Sequence, residues 1–179
     1  MPSLSTHLYR ICLLGLLLAA FALRVYKLDS PSLWYDEGVT ASVAQYDLAS
    51  LSRWTADDIQ PPLYYALTAG WGRLAGWSEW SLRFLSVWSG LLVLPLMAVL
   101  ARRWSGSRLA GLLAGLLAAT HPLLVYYSQE ARMYSLLVAL GTAIAYCVLR
   151  IGTVEGENYN AEAQRRRGAE GFNAKAQRS

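Results

Sequence analysis

A chain of 179 residues has the length of one domain, yet 55% of it is hydrophobic and only 16% is charged, which is not the balance of a soluble globular protein. The net charge of +4 does not point to nucleic acid, because much of the basic excess lies in short loops beside apolar runs and in the C-terminal tail, a pattern of membrane topology. Cys12 and Cys147 both fall inside apolar runs without Cys-x-x-Cys spacing, so they read as core residues and imply neither a disulfide nor a metal framework.

The first element in chain order is the apolar run 11–23. It is shorter than the roughly 20 residues that cross a bilayer core, but Tyr9, Arg10, Arg24 and Tyr26 extend it to the headgroups by snorkelling. Arg10 and the small-x-small triplet Ala20-Phe21-Ala22 also fit a cleaved signal peptide. Three later runs of span length, 84–101, 109–127 and 133–149, favour an uncleaved first helix.

A long segment, 28–82, separates the first two runs. It opens with "SLWYDEGVTA", where the acidic pair Asp36 and Glu37 stands between Tyr35 and Gly38. Residues 38–51 carry apolar side chains at Val39, Val43, Ala44 and Leu48, which suits one amphipathic helix. "DDIQPPLYYALTAGWGRLAGW" follows. Pro61 and Pro62 suit a helix start, because the first amides need no intrahelical acceptor. Residues 63–74 are then apolar and aromatic but short for a span. Two helices in or near the membrane interface are expected, a depth that suits Trp34, Trp54, Trp71, Trp77 and Trp80.

Arg102, Arg103 and Arg108 crowd the short link between the runs 84–101 and 109–127. A basic cluster in a short loop belongs on the cytoplasmic side. The N-terminus is then also cytoplasmic, the segments 28–82 and 128–132 lie outside, and Arg150 returns inside. Arg24, Lys27, Arg53, Arg73 and Arg83 oppose this count, but they lie in or beside a long segment, where the rule is weaker. After Ile151 the chain turns polar and repetitive, and residues 160–165 recur with one change as 173–178. Such a tail lacks the apolar surface that would offset the entropy of ordering. The expected fold is an all-α integral membrane protein. About four transmembrane helices and interfacial helices in the first outer loop occupy 1–151, and a disordered tail occupies 152–179.

The polar residues placed on the outer face form a short set. Asp36, Glu37 and Gln60 lie in the first outer segment, and "THPLLVYYSQEARMY" brings His121, Gln129, Glu130 and Arg132. Carboxylates beside a membrane core are costly to desolvate, and partial burial raises their pKa toward the range of a general base. The planar fork of Arg132 suits a phosphate. Each residue also has a plainer reading. Asp-Glu before Gly is a good helix start, where its charge opposes the helix dipole. Glu130 and Arg132 suit a solvated loop, His121 before Pro122 a helix cap or kink, and the aromatics interface anchors. A metal site built from Asp36, Glu37, His121 and Glu130 lacks a recognised ligand spacing. No cofactor is expected, and a divalent metal is the weaker alternative.

Three stretches in order, "LWYDEGVTA", "QPPLYYALTAGW" and "HPLLVYYSQEARMYSLLVAL", resemble the N-terminal part of polytopic GT-C glycosyltransferases. The match is to the glycosyltransferase family 39 group, with its protein O-mannosyltransferases and lipid A aminoarabinose transferases, and covers about residues 8–150. The resemblance implies a multi-pass enzyme of the bacterial cytoplasmic membrane. Such an enzyme transfers a sugar from a polyprenyl-phosphate donor to a protein or glycolipid acceptor on the extracytoplasmic side. Its partners are the lipid-linked donor, the acceptor and membrane lipids, with no nucleic acid. Asp36 and Glu37 match the family's acidic pair, whose aspartate acts as base on the acceptor hydroxyl. Glu130 matches the second acidic motif, with Arg132 as phosphate partner. Gln60 stands where the family often has His or Lys, which removes a charged donor contact or metal-site neighbour. Family members carry many more spans, so a truncated enzyme is expected. The alternatives are a small non-catalytic membrane protein or an inactive gene remnant, with a transporter fragment as a weaker third.

Overall fold

The computed structural model describes residues 5–30, 32–58 and 60–152. The expected disordered tail lies, from residue 153 onward, outside the described residues. The chain divides into two compact units, Met1–Thr142 and Ala143–Ser179. The described part of the second is the end of the last helix.

The described residues form helices and no strands. They are α1 Thr6–Val25, α2 Tyr35–Val43, α3 Leu48–Asp57, α4 Pro62–Ala75, α5 Glu79–Ser105, α6 Arg108–Thr120, α7 Pro122–Ser128 and α8 Tyr134–Gly152. Helices α1, α5 and α8 are long and apolar enough to cross a membrane, and α6 with α7 makes a fourth if the bent pair is one span. This is the all-α architecture expected from the runs of hydropathy.

Local chemistry sets the ends of the long helices. Ser5 starts α1 by accepting the Leu8 N–H at 3.2 Å. Ser78 starts α5 by accepting from Ser81 at 3.2 Å. Gly106 ends α5 in the left-handed region at φ 69°, where a side chain would be strained. Ser107 then caps α6, so the chain reverses within a tight hairpin. Helices α5 and α6 pack closely because Gly111 carries no side chain. A Cβ there would lie 2.7 Å from the Ala98 carbonyl oxygen. One core cluster joins Ala20 of α1, Val93 and Leu94 of α5, Ala118 and Ala119 of α6, and Ala139 of α8. Small residues at such contacts let helix backbones approach, the usual device where lipid removes the hydrophobic drive between helices. Ile11, Leu14 and Leu18 on α1 stay exposed, as a lipid-facing side requires.

Two expectations are corrected. Residues 38–51 do not form one amphipathic helix. Helix α2 stops at Val43, and Asp47 opens α3 by accepting the Ala49 and Ser50 N–H groups, both at 3.0 Å. Three short helices therefore occupy the segment between α1 and α5, where two were expected. The apolar spacing is respected only in part: Val43 and Ala44 bury with Leu51 against Tyr65 and Ala69 of α4, and Val39 packs beside them, but Leu48 is exposed. Periodicity continues across a short break, and only the capping carboxylate reveals it. The run 109–127 is likewise not straight. It breaks at His121 and bends by 56°, because Pro122 has no N–H to offer the Ala118 carbonyl four residues back. Pro62 does open α4, as expected.

Candidate active site

The two ends of the bundle are chemically distinct. At one end Arg102 lies over the Tyr9 ring at 5.5 Å, beside the basic α5–α6 hairpin. At the other end the C-terminus of α1 meets the segment 129–133, through Gln129 to the carbonyls of Arg24 and Tyr26 at 3.1 and 3.2 Å. Arg83 and Arg102 are separated along α5 by about 28 Å at 1.5 Å per residue, close to the thickness of a bilayer core. The acidic pair and the Glu130–Arg132 segment share the Arg83 end.

Glu37 sits in the first turn of α2 and is fully buried, as is Arg83 of α5. The pair is bidentate: Arg83 Nε donates to Oε1 at 2.9 Å and Nη2 to Oε2 at 2.7 Å. The Ala131 N–H donates to Oε1 at 2.7 Å, and the Trp34 N–H reaches Oε2 at 3.4 Å. Arg83 Nη1 also donates to the Leu28 carbonyl at 2.8 Å. One carboxylate thus ties α2, α5 and the 129–133 segment together. Glu37 is both the helix-start residue of the plainer reading and a junction between three parts of the chain.

Asp36, one residue earlier, has the opposite environment. Its side chain is 36% exposed, and Oδ2 lies 3.5 Å from Arg132 Nη2. Arg132 Nη1 reaches the Asp36 carbonyl at 3.5 Å, and the guanidinium lies 5.7 Å from the centre of the Tyr134 ring. Burial works against the Arg132 charge, but Tyr134 and the Asp36 carboxylate outweigh it and hold the group above its ordinary value. Arg132 Nε is buried and has no hydrogen-bond partner among the described residues. The Arg132 backbone is held from α5, where Ser86 Oγ donates to its carbonyl at 3.2 Å and shares a 2.8 Å hydrogen bond with the Tyr64 hydroxyl. Burial pushes the phenols of Tyr64 and Tyr65 up, and the Tyr65 hydroxyl has no hydrogen-bond partner among the described residues. The turn that carries Asp36 also borders an open groove of about 550 Å³ with Trp34, Tyr35, Val39, Tyr46 and Trp54 in its lining.

The residues singled out in the sequence are not all brought together. Asp36 meets Arg132 directly, and Glu37 meets the residue before Arg132, through the Ala131 N–H. Glu130 is buried beside them, within electrostatic reach of Arg83 and Tyr126. Gln60 is fixed by its backbone, which donates to Thr55 at 2.9 Å, and its buried Oε1 has no partner among the described residues. His121 is exposed at the α6–α7 break, and no hydrogen bond among the described residues joins it to Asp36. Among the described residues no three His, Cys, Asp or Glu side chains gather to hold a metal ion, so the set Asp36, Glu37, His121 and Glu130 does not assemble as one. Sequence spacing gave Arg24 a snorkelling role and set both Arg24 and Arg83 against the topology; instead both are buried, and the Arg24 guanidinium turns into the bundle rather than to the headgroups. The available signal was an arginine inside or beside an apolar run, which survives there only with partners.

A family model described as dolichyl-phosphate-mannose-protein mannosyltransferase matches residues 58–167, more than half of the chain. No curated protein and no solved structure matches it. The matched stretch contains Arg83, Glu130 and Arg132, while Asp36 and Glu37 precede it and are bound to it by the contacts above. With an all-helical, membrane-spanning fold and a carboxylate–arginine pair at one end of the bundle, the chain belongs to the dolichyl-phosphate-mannose-protein mannosyltransferase family of GT-C glycosyltransferases.

Proposed function

We propose that this chain forms part of a glycosyltransferase that moves a sugar from a polyprenyl-phosphate donor to a hydroxyl of a protein or glycolipid acceptor. The reaction takes place on the extracytoplasmic side of the bacterial cytoplasmic membrane, with the N-terminus of the chain in the cytoplasm. The carrying observation is the half-exposed Asp36 carboxylate 3.5 Å from Arg132, whose Nε has no partner among the described residues. In this reading Asp36 takes the proton of the acceptor hydroxyl as its oxygen attacks the anomeric carbon. The bond from that carbon to the phosphate oxygen breaks, and the electron pair leaves on the phosphate. Arg132 stabilises that charge with its planar donors. Glu37, with its oxygens already engaged, orients rather than reacts. Glu130, Gln60 and His121 keep the role of candidate substrate contacts, with Glu130 the nearest of them to the Asp36–Arg132 pair along the chain.

The test uses membranes carrying the chain within an active transferase and a polyprenyl-phosphate mannose probe. Asp36→Asn should lower turnover by roughly two to four powers of ten, the scale of removing a general base, while donor binding persists. Arg132→Ala should weaken donor binding instead. An active preparation that keeps its turnover after Asp36→Asn would overturn the assignment.

A further inference from the structure

Arg24 is the buried charge that this chemistry leaves unused. It lies one residue before the end of α1 and is fully buried, so its donors must be satisfied by the protein. They are: Nε donates to Ser128 Oγ at 3.1 Å, Nη1 to the carbonyls of Ala20 at 3.3 Å and Ala119 at 3.1 Å, and Nη2 to the Ala118 carbonyl at 3.1 Å. Ala118 is the residue whose carbonyl Pro122 cannot serve. A side chain from α1 therefore supplies the hydrogen bond that the proline deletes, and the α6–α7 bend is closed from outside its own helix.

The same contact reaches toward the site. Ser128 ends α7 and also hydrogen-bonds the Leu124 carbonyl. Gln129 Nε2 grips the end of α1 through the carbonyls of Arg24, Tyr26 and Leu23 at 3.1, 3.2 and 3.4 Å. Ala131 is then pinned on Glu37, and Arg132 follows. Gly90 of α5 leaves space for the junction, since a Cβ there would collide with Ser128 Oγ and lie 3.5 Å from Arg24 Nε. We infer that Arg24 is a positioning residue of the sugar-transfer site. By closing the α6–α7 break onto α1, it sets where Arg132 stands opposite Asp36. The consequence for catalysis rests on the proposed roles of Asp36 and Arg132; the structural consequence does not.

Two measurements separate these parts. The first takes the full chain in nanodiscs, with Cys12 and Cys147 replaced by Ser and spin labels on Ser42→Cys of α2 and Tyr126→Cys of α7, both exposed positions. Arg24→Gln should shift or broaden this distance, while a control pair on Met97→Cys and Leu113→Cys of α5 and α6 stays unchanged. Ser128→Ala, which removes one arm only, should give a smaller change of the same kind, and decides the matter if Arg24→Gln does not fold. An unchanged α2–α7 distance in the folded variants would overturn the inference. The second measurement takes an active transferase containing this segment. Arg24→Gln should lower kcat/KM for the polyprenyl-phosphate mannose probe roughly tenfold to hundredfold, the scale of a misplaced catalytic contact, with Arg24→Lys partly restoring it. A shifted distance with unchanged kcat and KM would also overturn the positioning role. If Asp36→Asn leaves turnover intact in that enzyme, the proposed chemistry fails, and the distance measurement still decides what Arg24 holds.

Discussion

Asp36 and Glu37 are neighbours in sequence and have opposite fates in the fold. On a helix start, adjacent side chains point about 100° apart, so one can face the bundle while the other faces the open side. Glu37 turns inward and meets Arg83 with both oxygens, and Asp36 stays half-exposed against Arg132. Removing one partner of a buried ion pair leaves the other charge uncompensated, typically at a cost of about 3–5 kcal/mol. Glu37→Gln should therefore lower the thermal midpoint in detergent markedly, and Asp36→Asn should leave it nearly unchanged. Equal losses from the two variants would show that the division of labour is wrong. The acidic pair itself was legible in the sequence, as was the candidacy of Arg132. Which carboxylate is buried was not, because that depends on Arg83, 46 positions away from Glu37.

At the scale of elements, the breaks matter more than the helices. Asp47 divides the outer segment by capping α3, and its hydrogen bonds with Ser50 hold its carboxyl below the ordinary value of 3.8. A depressed pKa means that the cap contributes fully above that ordinary value and is lost as pH falls through the folded one. The amide signals of Ala49 and Ser50 should therefore shift together as acid is added below about pH 4, and Asp47→Asn should remove that titration while keeping an acceptor. A shift that persists in Asp47→Asn would assign it elsewhere. Gly90 is the corresponding device inside the bundle, where α5 passes the Arg24–Ser128 contact. Gly90→Ala forces Ser128 aside, and overpacking of this kind costs about 1–3 kcal/mol, measurable as a lower midpoint. The helix start at Pro62 could be read from the sequence, since proline acts on its own backbone. The Asp47 break could not be seen in apolar spacing, which runs through it without interruption.

At the scale of the whole molecule, the charges separate into two kinds. Arg102 and Arg103 are exposed beside the hairpin, whereas Arg24 and Arg83 are buried and hydrogen-bonded at the far end. Only exposed loop charges report on membrane orientation, so two of the residues that opposed the topological count are accounted for structurally. With Cys12 and Cys147 replaced, an impermeant thiol reagent on intact cells should label Ser32→Cys and spare Ser107→Cys. The reverse pattern would invert the orientation and place the Asp36–Arg132 pair in the cytoplasm. Hydropathy and run length determined by themselves that the described part of the chain is helical, where its apolar runs lie and in what order the polar segments come. These properties follow from the local cost of placing residues and backbone in lipid. The order of motifs likewise carried the family resemblance. Only the tertiary structure decided that Glu37 is a buried junction, that Arg132 reaches Asp36, and that an arginine of α1 closes a helix broken by Pro122. Those depend on pairing between side chains distant in the chain, and the spacing of residues along a sequence does not encode which buried charge finds which partner.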